Sequence, residues 1–237
     1  MPGWFGREPV ACGVRDGVRQ GEAMRRGGVS IFDVVQTVSV ATVVLWAVVV
    51  GAPAEVVAGK FNAVLKVGQP APAWEGLLGV DGKRHSLGDL KDARAVLLVF
   101  LSNRCPMTRS YEARLKKLVS GYRKSGLAVI GVSIGHSPTD RLEKMIARSA
   151  LSKYNFPYCI DLTQQLGRRY GATCTPHAFL LDRKRRVAYM GAIDDNVDPG
   201  KIEHHYLRDA IRAVLAGKRP EVFETLQKGC EIKYVER

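Results

Sequence analysis

A buried strand that runs directly into a cysteine and a helix is the feature that most constrains this sequence. Ala95–Leu101 is a continuous apolar run, short enough to be a strand buried on both faces. After it, apolar side chains such as Tyr111 and Leu115 recur at helical spacing among charged residues. Pro106 suits the first turn of that helix, where no backbone donor is needed. The pattern therefore places Cys105 where the strand ends and the helix begins.

This position predicts an acidic thiol. The unsatisfied N–H groups and the positive end of the helix dipole point at a side chain placed there. Arg104 and Arg109 add positive charge nearby. We expect a lowered pKa for Cys105 and a sulfur that exists partly as thiolate, the nucleophilic form.

Charge and cysteine content exclude several classes of protein. The formal charge of the 237 residues is +13, but the basic residues are scattered, and no zinc-finger or RNP-like pattern is present. We expect no nucleic-acid partner, and only a general attraction to anionic surfaces. The five cysteines are irregularly spaced and form no CxxC pair, which argues against a disulfide scaffold and against a structural zinc site. No metal and no cofactor are expected.

The N-terminal part predicts export. Residues 1–33 are basic and aperiodic, and we expect them to be disordered. Residues 34–58 are predicted to be a signal peptide or a membrane anchor, because the apolar stretch within them is about 20 residues long, enough to cross a bilayer. Cleavage near residues 51–58 would release the protein outside the cytoplasm, whereas an uncleaved segment would hold it to the membrane through residues 34–54. A start at Met24 would give a more typical signal.

The rest of the chain alternates strands and helices. A folded domain is expected over residues 60–219, followed by a loosely ordered tail, residues 220–237, that carries Cys230. A hairpin is predicted with RKRR, residues 183–186, at its turn, and a last helix over Pro199–Ala216. This order indicates an α/β fold with a mixed central sheet flanked by helices.

Four segments in this order resemble the thioredoxin superfamily, and within it the peroxiredoxin-like redoxins related to the alkyl hydroperoxide reductase/thiol-specific antioxidant group. These segments are SNRCPMTRSYEARL at 102–115, FPYCIDLTQQLGRRYGATCTPHAFLLD at 156–182, YMGAIDD at 189–195 and GCEIK at 229–233. The resemblance implies a thioredoxin-like fold and a cis proline at Pro176. The Thr175 backbone would then lie beside Cys105, ready to pair with a substrate chain.

The active-site loop departs from thioredoxin. It reads Cys105-Pro106-Met107-Thr108, so Thr108 stands where a CxxC has its second cysteine. A dithiol cycle within the loop is therefore impossible, and a reaction of the thioredoxin kind is not expected.

Peroxide reduction is one chemistry that the resemblance leaves open. Cys105 would become a sulfenic acid, and Cys174 or Cys230 would resolve it as a disulfide. Ser102 matches a hydroxyl that orients the peroxide in peroxiredoxins, although the proline expected before it is replaced by Leu98. The same resemblance places Thr175, Pro176 and Thr108 at the substrate.

Two further possibilities remain. Cys105 could exchange with a protein disulfide or thiol, which requires an external thiol reductant. Alternatively, the domain only binds, and Cys105, Cys174 and His177 would form a copper site. Redox chemistry at Cys105 requires a sulfur that lies near Pro176 and is not sunk in the interior.

Overall fold

The computed structural model of the protein describes residues 59–236. The predicted N-terminal extension and the signal or anchor segment lie outside these residues. Within the described part, no helix has both the length and the apolar character needed to cross a membrane.

The described residues form four α-helices and nine strands, which we number in chain order. The helices are α1 Pro106–Tyr122, α2 Leu142–Ser152, α3 Gln165–Tyr170 and α4 Tyr206–Leu215. The strands are β1 Leu77–Gly79, β2 Arg84–His85, β3 Ala95–Leu101, β4 Leu127–Ser133, β5 Tyr158–Ile160, β6 Cys174–Thr175, β7 His177–Leu181, β8 Val187–Gly191 and β9 Cys230–Glu231.

Seven of these strands make one mixed sheet in the order β2-β1-β5-β4-β3-β7-β8. The central strand β3 pairs with β4 in parallel and with β7 in the antiparallel direction, and all seven of its residues are buried. A strand covered on both faces needs no polar residue, which explains its unbroken apolar sequence. The predicted α/β architecture is confirmed, as is the hairpin of β7 and β8 around RKRR.

Two apolar clusters cover the two faces of the sheet. One contains Leu97 and Val99 of β3 with Leu115 of α1 and Ile211 of α4. The other contains the alternate β3 residues, such as Phe100, and residues of α3. Alternation of side chains along β3 assigns its residues to the two cores in turn. The strand is therefore fixed on both sides, and the residues that follow it start from a rigid base.

The last helix is shorter than predicted. Pro199–Lys201 forms a separate 3-10 turn, and Ile202 is extended, with φ −77° and ψ 119°, before α4 begins at Tyr206. The carboxylate of Asp195 accepts a hydrogen bond from the N–H of Glu203 at 3.2 Å. The backbone between the 3-10 turn and α4 is thus hydrogen-bonded to the segment that follows β8, and it does not continue the helix.

The prediction of a loosely ordered tail is wrong. The Thr225 hydroxyl accepts a hydrogen bond from the Ala192 N–H at 2.9 Å, and β9 pairs with β6 as a second, two-stranded sheet. The pairing of β9 could not be predicted from the sequence pattern, because a strand of two residues is too short to show a periodicity. The chain therefore returns to the neighbourhood of the Cys105 loop near its C-terminal end.

Candidate active site

Cys105 caps the first helix. Its backbone is extended, with φ −77° and ψ 115°, and Pro106 starts α1 directly after it. The Thr108 N–H donates a hydrogen bond to the Cys105 sulfur at 3.4 Å. The predicted junction of β3 and α1 is confirmed, and one of the free N–H groups of the first turn points at the thiol.

A cis peptide bond lies beside this sulfur, between Thr175 and Pro176. In its protonated form, the Cys105 thiol donates a hydrogen bond to the Thr175 carbonyl oxygen at 3.0 Å. The predicted cis proline and the predicted closeness of the Thr175 backbone to Cys105 are therefore both confirmed.

Cys230 approaches the same sulfur from the C-terminal strand. In the ladder of β6 and β9, Thr175 pairs with Cys230 and Cys174 pairs with Glu231. Both the thiol and the backbone N–H of Cys230 donate hydrogen bonds to the Cys105 sulfur. Gly229 makes this approach possible, because a Cβ at that position would lie 2.1 Å from the Thr175 oxygen.

These contacts lower the pKa of Cys105 to about 5. The hydrogen bond from the Cys230 thiol contributes most, burial opposes it, and hydrogen bonds from the Thr175 side chain and the Thr108 N–H add to the lowering. Each of these donors stabilises a negative sulfur more than a neutral one. The predicted direction of the shift is confirmed, but its main cause is the Cys230 thiol, whereas the sequence pattern had indicated the helix dipole, Arg104 and Arg109.

The expectation of an accessible sulfur is wrong. Cys105 is only 1% exposed, whereas Cys230 is partly exposed. The Cys105 sulfur is in hydrogen-bond contact with Thr175 and Cys230, which lie on the paired strands β6 and β9. The sulfur therefore lies at the junction that the sequence indicated and contacts the chain's own C-terminal segment, but the requirement stated from the sequence, a sulfur not sunk in the interior, is not met in this structure.

A buried carboxylate holds the loop before Cys105. Asp140, 1% exposed, accepts hydrogen bonds from the Asn103 N–H at 2.7 Å and from the Ser102 hydroxyl at 3.0 Å. The Ser102 oxygen in turn accepts from the Arg104 N–H at 3.2 Å. Asp140 was missed by sequence reasoning, since a single acid between Thr139 and a helix carries no signal of burial. The hydrogen of the Ser102 hydroxyl is therefore engaged in the hydrogen bond to Asp140.

Asn103 is a second fixed point of this loop. Its side-chain amide donates to the Thr139 carbonyl at 2.8 Å, and its side-chain oxygen accepts from the Tyr158 hydroxyl at 3.2 Å. Arg109 donates to the Asn103 carbonyl at 3.2 Å. Arg109 thus ties the loop to α1, in addition to supplying positive charge.

The remaining predicted site residues lie as follows. Thr108 is buried and its hydroxyl oxygen faces the Ser102 N–H at 3.4 Å. Cys174 is fully buried in β6. Neighbouring residues of a strand point to opposite faces, and directly paired residues of two strands share a face. Thr175 and Cys230 therefore share the face toward Cys105, and Cys174 points to the other one.

The structure does not assemble the hypothetical copper site. Within residues 59–236, the only group of three His, Cys, Asp or Glu side chains whose ligand atoms all lie within 4.8 Å of one another is Asp195, Glu203 and His204. His177 is 1% exposed and its ring lies 4.4 Å from that of Phe179, and burial lowers its pKa to about 3. The imidazole is a neutral part of the core.

Comparison with known proteins agrees with this geometry. The model of the AhpC/TSA family matches residues 67–190. A thiol-disulfide oxidoreductase ResA from Geobacillus thermodenitrificans (strain NG80-2) is 29% identical over 126 residues, which cover 53% of this chain and 69% of that protein.

Two solved structures extend the likeness to most of the described residues. A hypothetical protein from Sinorhizobium meliloti 1021 is 35% identical, with a TM-score of 0.67, and the match covers 73% of this chain and 97% of that one. An uncharacterized conserved protein from Geobacillus kaustophilus is 28% identical, with a TM-score of 0.69, and the match covers 74% and 96% of the two chains.

The family match spans more than half of the chain and contains the cysteine at the start of α1 and the cis proline opposite it. A thiol oxidoreductase is the kind of protein that these findings support. The chain belongs to the AhpC/TSA family, among the redoxins of the thioredoxin superfamily.

Proposed function

We propose that the protein is a two-cysteine thiol oxidoreductase in which Cys105 is the nucleophile and Cys230 the resolving thiol. The observation that carries this proposal is the hydrogen bond from the Cys230 thiol to the Cys105 sulfur. Two thiols in such contact can form a disulfide without a large rearrangement of the strands that hold them. The catalytic cycle would run between the dithiol and the Cys105–Cys230 disulfide.

Cys230 takes the part that the second cysteine of a CxxC plays in thioredoxin. Thr108 occupies that position in the loop and cannot form a disulfide. The strand pairing of Thr175 with Cys230 supplies a thiol from the opposite side of the sulfur. A dithiol centre is thereby restored, with its two members from distant parts of the chain.

The pKa of Cys105 suits a nucleophile. A thiol with a pKa of about 5 is almost wholly ionised at neutral pH. It is also a good leaving group when a second thiolate attacks a disulfide that contains it. Cys159 has the opposite character, because burial raises its pKa to about 12.

A peroxide is the oxidant that the burial of Cys105 favours. Its thiolate would attack one peroxide oxygen, the O–O bond would break, and the other oxygen would leave as an alcohol or water after taking a proton. The Cys105 sulfenic acid would then be attacked by the Cys230 sulfur, and the S–O bond would break with loss of water. An external thiol reductant would return both cysteines to the reduced state.

Exchange with a protein disulfide is the second candidate. It is supported by the likeness to ResA, a thiol-disulfide oxidoreductase, and by the backbone edge at Thr175. The reaction would pass through a mixed disulfide on Cys105, which Cys230 would release. Neither reaction needs a cofactor beyond the two thiols.

Trapping of the sulfenic acid tests the order of events. In Cys230→Ser, peroxide should leave a Cys105 sulfenic acid that dimedone labels, whereas Cys174→Ser should behave as the wild type and form the disulfide before labelling. Equal labelling of the wild type and Cys230→Ser would contradict the role of Cys230. A wild type that peroxide leaves fully reduced, while a peptide disulfide oxidises it, would select exchange over peroxide reduction.

Export through residues 34–58 is a separate proposal. It is supported by the apolar, uncharged stretch in this segment and by Arg25 and Arg26 before it. Sequencing the N-terminus of protein recovered from cells tests it. A start between residues 52 and 60 would establish cleavage, an intact N-terminus in the membrane fraction would establish an anchor, and an intact N-terminus in the soluble fraction would contradict both.

A further inference from the structure

We infer that residues 227–235, which we call the C-terminal strap, occupy a peptide-binding edge beside Cys105 and are displaced when a protein substrate docks there. This inference rests on the proposed role of Cys105 as the reacting thiol and concerns which substrates reach it. The partner that fits the edge is an extended polypeptide segment that carries a disulfide or a thiol.

The edge itself is the backbone of residues 173–175. Within residues 59–236, strand β6 pairs only with β9, and the Thr173 carbonyl accepts the N–H of Ile232 at 2.9 Å. Without the strap, these backbone groups would be an unpaired strand edge, which readily accepts another strand. The strap thus sits as an added strand where an incoming chain would pair.

The strap mimics such a chain in its side chains as well. Its pairing brings the Cys230 sulfur against that of Cys105, as a mixed disulfide with a substrate would bring the substrate's sulfur. The residue before the cysteine must be small, because a Cβ on Gly229 would lie 2.1 Å from the Thr175 oxygen. A docking segment should therefore also carry glycine before its cysteine.

The ladder between the strap and β6 is only two residues long, so side chains do most of the anchoring. The buried Gln164 donates to the Lys233 carbonyl at 3.0 Å and accepts from the Val235 N–H at 2.9 Å. Gln227 donates to the Thr173 hydroxyl at 2.6 Å, and the Tyr234 hydroxyl donates to the Ala172 carbonyl at 2.7 Å. The Arg168 guanidinium lies 4.5 Å above the Tyr234 ring. Segments with short ladders and part-exposed bonds open at lower free energy than the core does.

The strap explains how a buried sulfur can serve substrates of different sizes. Cys105 is 1% exposed while the strap is in place. A protein disulfide cannot pair with residues 173–175 until the strap leaves, whereas a small oxidant needs only a brief opening. Release of the strap therefore determines whether Cys105 meets large partners.

A single glycine substitution tests this inference with both cysteines present. Gly229→Ala should push the strap off the Thr175 backbone. Gly121→Ala is the matched control, because a Cβ there meets no atom within 4 Å. The measurement is the rate at which the reduced full-length protein is alkylated at Cys105, read by mass spectrometry, with small iodoacetamide and with a bulky polyethylene-glycol maleimide.

We expect Gly229→Ala to raise the ratio of the bulky-reagent rate to the iodoacetamide rate about tenfold or more, since a methyl group forced into filled space costs as much as overpacking a core. The ratio is used because a change in the Cys105 pKa affects both reagents alike. Gly121→Ala should match the wild type. Should Gly229→Ala fail to fold, Tyr234→Phe, which loses one anchoring hydrogen bond, should raise the ratio about fivefold. Equal ratios for the wild type and the folded strap variants would overturn the inference.

The same samples separate this inference from the proposed function. If the strap variant exposes Cys105 but neither protein is oxidised by peroxide or by a peptide disulfide, the proposed function fails and the strap stands. If both proteins are oxidised and their ratios of alkylation rates are equal, the strap fails and the proposed function stands.

Discussion

Cys230 donates a hydrogen bond to the sulfur of Cys105 from the strand that pairs with Thr175. The contact joins the start of the first helix to the C-terminal end of the chain. It lowers the pKa of the Cys105 thiol and places a second thiol beside it. The predictions below follow from this contact and from the carboxylate that holds the loop before Cys105.

Removal of the Cys230 thiol should raise the pKa of Cys105. Cys230→Ala deletes the largest contribution to the lowered value of about 5, so the pKa should move toward the value of a free thiol, about 8.5. Cys230→Ser keeps a donor and should shift the pKa less. The pH dependence of Cys105 alkylation by iodoacetamide gives both values. An unchanged midpoint in Cys230→Ala would contradict the assigned cause.

The Cys105 thiolate should make stability depend on pH. Its pKa is about 5 in the folded protein and that of a free thiol, about 8.5, in the unfolded chain. The folded state therefore binds fewer protons between these values. The contribution of the Cys105 thiolate to the free energy of unfolding is complete above the pKa of the unfolded chain, and it is lost as the pH falls through about 5.

Urea unfolding of the reduced wild type and of Cys105→Ser measures the contribution of the Cys105–Cys230 pair, because titrating groups away from this pair cancel in the difference. The difference in the free energy of unfolding should grow with pH between these limits, by at most about 1.4 kcal/mol per pH unit. A difference that stays constant over this window would show that the thiol is not acidic.

Asp140→Ala should loosen the Cys105 loop. The substitution leaves the Asn103 N–H and the Ser102 hydroxyl without their acceptor, and hydrogen bonds to a buried charge are worth about 1.5–3 kcal/mol each. We expect a lower free energy of unfolding and slower oxidation of Cys105. Asp140→Asn keeps one acceptor oxygen, so its free energy of unfolding and its rate of Cys105 oxidation should fall less. Full activity and stability in Asp140→Ala would contradict an anchoring role.

Ser102→Ala separates two roles of this hydroxyl. If Ser102 only helps to anchor the loop through Asp140, its loss should reduce stability by about 1 kcal/mol and slow oxidation by peroxide and by a peptide disulfide to the same degree. If it orients a peroxide, oxidation by peroxide should fall far more than oxidation by the disulfide. Stopped-flow measurement of both reactions distinguishes the outcomes.

The strand and the helix around Cys105 were predictable because their signals are local. Ala95–Leu101 is an unbroken apolar run, and Pro106 follows the cysteine where a helix tolerates it. The cis bond at Pro176 was predicted from the family resemblance, because the residues themselves carry no physical signal for it.

The tail and the loop anchor could not be predicted in the same way. Strand β9 owes its place to partners far along the chain and to the small size of Gly229, neither of which has a periodic pattern. The burial of Asp140 likewise depends on tertiary contacts with Ser102 and Asn103. The burial of Cys105 was missed as well, because it depends on tertiary contacts such as those with Thr175 and Cys230.

Identification of the first disulfide formed tests the central claim most directly. The reduced full-length protein would be treated with one equivalent of peroxide, or of a peptide disulfide, and quenched with acid and alkylating reagent before proteolysis and mass spectrometry. The account predicts a Cys105–Cys230 link in the wild type and in Cys174→Ser, and none in Cys230→Ser. A Cys105–Cys174 link in the wild type, or a Cys105 sulfenic or sulfinic acid with Cys230 still reduced, would contradict it.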